Sequence, residues 1–124
     1  MGCLHIYFLK ILDTPRMQKV RLNATLSFAD HMGFRCGTCH SFPVFDLKDR
    51  KHLKLYERPL IVMEGTLLGE QYIGLSKEQA LEYIERLSNV CRFYNGSFSL
   101  LWHNTSLIQS WERQLYLEIL SVIT

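Results

Sequence analysis

A capped helix between two apolar strands, in the second half of the chain, limits the fold more than any other feature. Ser76-Lys77-Glu78-Gln79 reads as a capping box, in which the serine oxygen accepts from the backbone of the glutamine and the glutamine reaches back to the serine N–H. Behind it Ala80, Ile84, Leu87, Cys91 and Tyr94 recur along one helical face, and Asn95-Gly96 closes the helix in the manner of a left-handed cap. Ahead of it Pro59-Leu60-Ile61-Val62-Met63 is a continuous apolar run of strand length, the pattern of a strand covered on both faces. Downstream, Ser97-Phe98-Ser99-Leu100-Leu101-Trp102-His103 reads as a buried strand ending in a polar residue. Trp111, Leu115, Ile119 and Val122 then stripe a terminal helix that begins around 107–110 and takes Trp111 into the core. Strand, helix, strand, helix in this order argues for an α/β fold with a parallel sheet and right-handed crossovers.

The first half is less regular. The apolar stretch Met1 to Leu12 reads as a strand, and Asp13-Thr14-Pro15 opens a short helix that ends near Arg21. Asn23 to Phe28 alternates, with Ala24, Leu26 and Phe28 on one face, as a half-buried strand does. Residues 29–58 are punctuated by Gly33, Gly37 and Pro43, with short strands expected at 43–46 and 52–56. The 124 residues, 48% hydrophobic and 21% charged with a formal charge of +2, fit a single domain over 1–124 and carry no electrostatic footprint for nucleic acid. The densest basic patch, Lys48 to Lys54, is broken by Asp49 and reads as a solvated edge. No segment approaches a membrane span, and the apolar start lacks the basic flank and cleavage site of a signal peptide, so the default expectation is a cytoplasmic chain with reduced thiols.

Reactive groups of parallel α/β folds gather where strands end. Asp30 and His31 follow the 23–28 segment, Glu64 follows the 59–63 run, and His103-Asn104 follow the 98–102 strand. Glu64 reads equally as a site carboxylate and as a strand-end hydrogen-bond acceptor. Arg35 reads as a ligand for a sugar hydroxyl or carboxylate, or as an ion-pair partner of Asp30 or Asp46.

Leu100-Leu101-Trp102-His103-Asn104 resembles the last motif of the polysaccharide deacetylase (NodB-homology, carbohydrate esterase family four) superfamily, in which an apolar strand ends in Leu-x-His. Ser27 to Thr38, Phe42 to Asp46 and Pro59 to Leu67 are similar to one bacterial branch of it, so the resemblance covers roughly residues 23 to 118 with order preserved. It implies the C-terminal half of a distorted barrel of parallel strands with outer helices, a parallel-sheet partial barrel. It further implies that His103 is the general acid that protonates the leaving amine, with Asp30 orienting it and favouring its charged form. His31 stands beside Asp30 on the substrate side, Leu101 and Trp102 wall an acetyl pocket, and Arg35 contacts the glycan.

The family's Thr-Phe-Asp-Asp-Gly and His-x-x-x-His motifs, which supply its base and the ligands of a zinc-like divalent metal, are missing from this sequence. The expectation is therefore a partial domain, inactive alone, with no metal of its own. Its partner would be a glycan, its unpaired strand edges would favour marginal stability and self-association, and a non-catalytic carbohydrate-binding or structural module is the alternative. Arg35-Cys36-Gly37-Thr38-Cys39-His40 raises a third reading, a metal or redox protein using Cys36, Cys39 and His40. Haem attachment requires export, zinc requires a fourth ligand, and a redox dithiol opens a helix where Ser41 to Phe45 reads extended. The resemblance favours a plain loop with buried or rim thiols.

Overall fold

The computed structural model describes residues 5–9, 21–24, 26–28, 30–69 and 74–124, the side chains of 5–9 and 21–23 excepted. Six strands and three helices are present among the described residues. They are β1 (His5–Leu9), β2 (Arg21–Asn23), β3 (Phe42–Asp46), β4 (Lys51–Glu57), β5 (Val62–Met63), α1 (Glu64–Leu68), α2 (Lys77–Phe93), β6 (Ser99–His103) and α3 (Ser110–Ile123), with a 3-10 turn at Asn104–Leu107. The short helix expected after Asp13 lies outside the described residues.

The fold is mixed α/β. One sheet has the order β1-β6-β5 and the other β2-β4-β3. Parallel pairing joins β5 to β6 (Met63 opposite Leu101) and β2 to β4 (Asn23 opposite Glu57). β1 instead runs antiparallel to β6, with Tyr7 opposite Leu101, and β3 and β4 form an antiparallel hairpin. The all-parallel sheet expected from the strand–helix alternation is thus replaced by two mixed sheets, each with one parallel pair. The alternation reports how β5, α2 and β6 connect and is silent about a strand added from the far end of the chain.

The core sits between the β5–β6 pair and the helices, built from Ile61, Val62, Leu67, Ala80, Ile84, Cys91, Leu100, Trp102, Leu115, Ile119 and Ile123. The capping box forms as read: Gln79 N donates to Ser76 Oγ at 3.3 Å and Ser76 N to Gln79 Oε1 at 3.0 Å. Helix α2 buries Ala80, Ile84, Ser88 and Cys91, while Tyr94 at its end turns outward. Arg92 reaches from α2 to the end of α3, donating to Ile123 O at 2.7 Å and so satisfying a carbonyl the helix cannot pair itself. In α3 the buried stripe is Leu115, Ile119 and Ile123, and Trp111 is 53% exposed with its ring N–H on Gln109 Oε1. Trp111 therefore leaves the core expected for it: the apolar stripe runs one turn further than the surface available to cover it.

The 23–28 strand is also corrected. β2 stops at Asn23, and Leu26 is 40% exposed. The segment is held crosswise instead, Leu26 N donating to Glu57 Oε1 at 3.0 Å and Leu60 N to Leu26 O at 3.2 Å. Three alternating residues are too few to impose a ladder when these two bonds already satisfy the backbone.

At the end of α2 the left-handed residue is Asn95 (φ 54°), and Gly96 has a different reason to be glycine. A Cβ there would lie 2.2 Å from Cys39 Sγ and 3.0 Å from the Cys39 carbonyl oxygen. Gly96→Ala is expected to cost about 1–3 kcal/mol through overpacking. Urea denaturation checks this, and Cys39→Ala in the same background should recover part of the loss, because it removes the nearest atom.

Candidate functional site

Because β5 and β6 are parallel and adjacent, their carboxyl ends open on the same side of the sheet. Glu64 follows the last residue of β5 as the first residue of α1, and His103 is the last residue of β6. The two meet. His103 N donates to Glu64 Oε1 at 3.0 Å, and the His103 ring Nδ1 is hydrogen-bonded to the same oxygen. Ser106, in the 3-10 turn that follows β6, adds its hydroxyl at 3.4 Å. An oxygen that already accepts from a backbone N–H acts as acceptor toward the ring too, so Nδ1 carries the proton and Nε2 is the ring atom remote from the carboxylate.

Glu64 is 2% exposed, and its second oxygen, Oε2, is buried without a hydrogen-bond partner. The His103 side chain is more open, at 28%. A buried carboxylate fixing a half-open imidazole is the arrangement that holds a histidine in one tautomer and balances its charge when it is protonated.

The other residues singled out from the sequence fall elsewhere. Asp30, expected to orient His103, bonds the His31 ring at 2.7 Å, and that bond holds its carboxyl below the usual range. His31 stacks on Phe28 (ring centroids 3.7 Å), and both members of the Asp30–His31 pair are exposed. The carboxylate on His103 is thus Glu64, 39 residues away along the chain. No local sequence signal marks that pairing; only the two strand ends pointed to it. Leu101 and Trp102, expected to wall a substrate pocket, are buried, and Trp102 is wholly enclosed. Its ring N–H donates to Ser106 O at 2.9 Å and its ring packs on Tyr116 at 5.3 Å, so it anchors the turn that carries Ser106. Arg35 donates to Ser27 O at 2.8 Å, an exposed loop brace rather than an ion pair.

The Cys36–His40 run is a turn. Gly37 N donates to Phe34 O at 2.9 Å and Gly37 adopts φ 68°, a conformation that favours glycine. Cys36 stays at the rim, Cys39 is buried, and His40 donates from Nε2 to Tyr94 O at 2.9 Å, tying the loop to the end of α2. The partner of Cys39 is Cys91 rather than Cys36. Among the described residues no three His, Cys, Asp or Glu side chains converge to hold a metal ion. A cavity of about 400 Å³ lies beside this loop, lined by Phe34, Cys39, His40, Val90 and Tyr94 among others.

Burial pushes the Cys91 thiol up to about 12, and the neighbouring Cys39 thiol adds to the rise. At pH 8 its thiolate fraction is on the order of one in ten thousand. Iodoacetamide at pH 8 is expected to leave Cys91 unmodified in the native protein and to alkylate it in guanidinium, as read by peptide mass mapping.

No helix among the described residues is long and apolar enough to cross a membrane. Comparison with protein-family models, with curated proteins and with solved structures finds no match to this chain.

Proposed function

We propose that this chain is the C-terminal part of a polysaccharide-deacetylase-like hydrolase, a partial barrel of which it carries the proton-donor side. The observation that carries the reading is the Glu64–His103 pair at the shared carboxyl end of β5 and β6. In this role Nε2 of His103 delivers a proton to the leaving amine of an acetylated sugar. Glu64 holds the ring by Nδ1 and compensates its charge, and Ser106 steadies the carboxylate. The residues that would activate water are not in this sequence, because the family's base motif is absent from it.

Purified protein supplied with zinc is accordingly expected to release no acetate from an acetylated chitooligosaccharide. Adding a second polypeptide that carries the family's metal and base motifs should restore release, and His103→Ala in that mixture should lower it by about 10²- to 10⁴-fold. Acetate from the chain alone, or a His103→Ala mixture as active as the original, would overturn the reading.

A carbohydrate-binding module is the second reading, favoured by the exposed rings of Phe93, Tyr94 and Trp111, the first two edge to face at 5.0 Å. Oligosaccharide binding that quenches Trp111 fluorescence, with no turnover in the complemented mixture, would select it. Either reading includes self-association through the outer strands of the sheets, and a sedimentation coefficient that stays monomeric up to millimolar protein would remove that element.

A further inference from the structure

Arg58, immediately after β4, is 3% exposed, and no carboxylate among the described residues pairs with it. Its Nε donates to Ser41 Oγ at 3.4 Å, near the limit of a hydrogen bond. Nη1 is sealed from solvent and bonded to nothing. A guanidinium keeps its proton under any ordinary condition, so burial leaves it charged. The neighbouring Glu57 accepts from Leu26 N, and no ion pair among the described residues joins it to Arg58. A buried, unpaired cation is one of the most costly arrangements a fold can hold, and a chain that keeps one has a use for it.

We propose that Arg58 and Ser41 form a binding site for an oxyanion, the phosphate or carboxylate group of a small molecule or glycan. The planar fork of the guanidinium matches two oxygens of such a group, and the idle Nη1 offers the donor they need. Ser41 stands beside it because Phe42 pairs with Glu57 in the β3–β4 hairpin, which brings the flanking residues 41 and 58 together. Having accepted from Nε, the serine hydroxyl keeps its own proton to donate to the same anion. The site is separate from His103, so either proposal can fail without the other.

The test is thermal unfolding of wild type, Arg58→Met and Arg58→Lys with increasing inorganic phosphate and, separately, glucuronate. Wild type is expected to show a saturable rise of several degrees with at least one anion. Phosphate alone acting identifies a phosphate group as the ligand chemistry; glucuronate alone acting identifies a carboxylate. Arg58→Met should melt at or above the wild-type temperature without ligand, because it removes an uncompensated charge, and should lose the anion response. The Nε–H resonance of Arg58 in intact wild type, followed during the same titrations, should move with the same saturation, which keeps the test valid if a variant folds poorly. No saturable shift and no movement of that resonance with either anion, or an undiminished response in Arg58→Met, would overturn the proposal.

Discussion

Replacing Trp102 by alanine is expected to remove about 3–5 kcal/mol of stability. Trp102 is wholly buried on β6, the central strand of its sheet, and belongs to the core that the helices cover. Its removal opens a cavity under Tyr116 and frees Ser106 O, which the indole N–H now holds at 2.9 Å. A domain of this size has a net stability of about 5–15 kcal/mol, so the variant keeps little margin. Urea denaturation should place its midpoint far below that of wild type, and near-ultraviolet circular dichroism should weaken. A midpoint within about 1 kcal/mol of wild type would show that the core collapses around the gap, contrary to the packing described.

The second large effect lies in the site. Glu64→Ala removes the acceptor shared by His103 N, the His103 ring and Ser106 Oγ. The backbone N–H has the least access to water and bears most of the penalty, while the ring, 28% exposed, can rehydrate. The expected cost is about 2–4 kcal/mol. Glu64→Gln keeps an acceptor oxygen at the same place and removes a buried charge, so it should lose less than half as much. Guanidinium denaturation of the pair separates hydrogen bonding from charge. Equal losses in the two variants would mean that the carboxylate charge, not the acceptor, is what the site needs.

What the sequence disclosed, and what it hid, divides by range. The Ser76–Gln79 box and the buried positions Ala80, Ile84 and Cys91 were legible because their partners lie within three or four residues on one helix. His103 at a strand exit was legible for a similar reason, since five residues suffice to define β6. Its partner was not. Asp30 and Glu64 are equally acidic residues after apolar segments, and only the parallel pairing of Met63 with Leu101 decides that Glu64 arrives beside the imidazole. Tyr94 and Trp111 misled in another way, because periodicity marks which face is apolar without marking where the neighbouring surface ends. The Cys36–Cys39 run reads as a plain loop with buried or rim thiols, and the turn at Gly37 sends Cys39 inward to Cys91 while Cys36 stays at the rim, a division the spacing alone does not give. Arg58 gave no signal at all, since burial of a charge depends on what a hairpin folds over it.

The antiparallel seam between β1 and β6 has a consequence for how the molecule comes into being. Its register joins His5 to His103, so β1 finds its partner 98 residues further along the chain. Closing so long a stretch of chain is entropically costly, and contacts this distant in sequence slow folding. Until that seam forms, β6 presents an open hydrogen-bonding edge on the side that β1 will occupy.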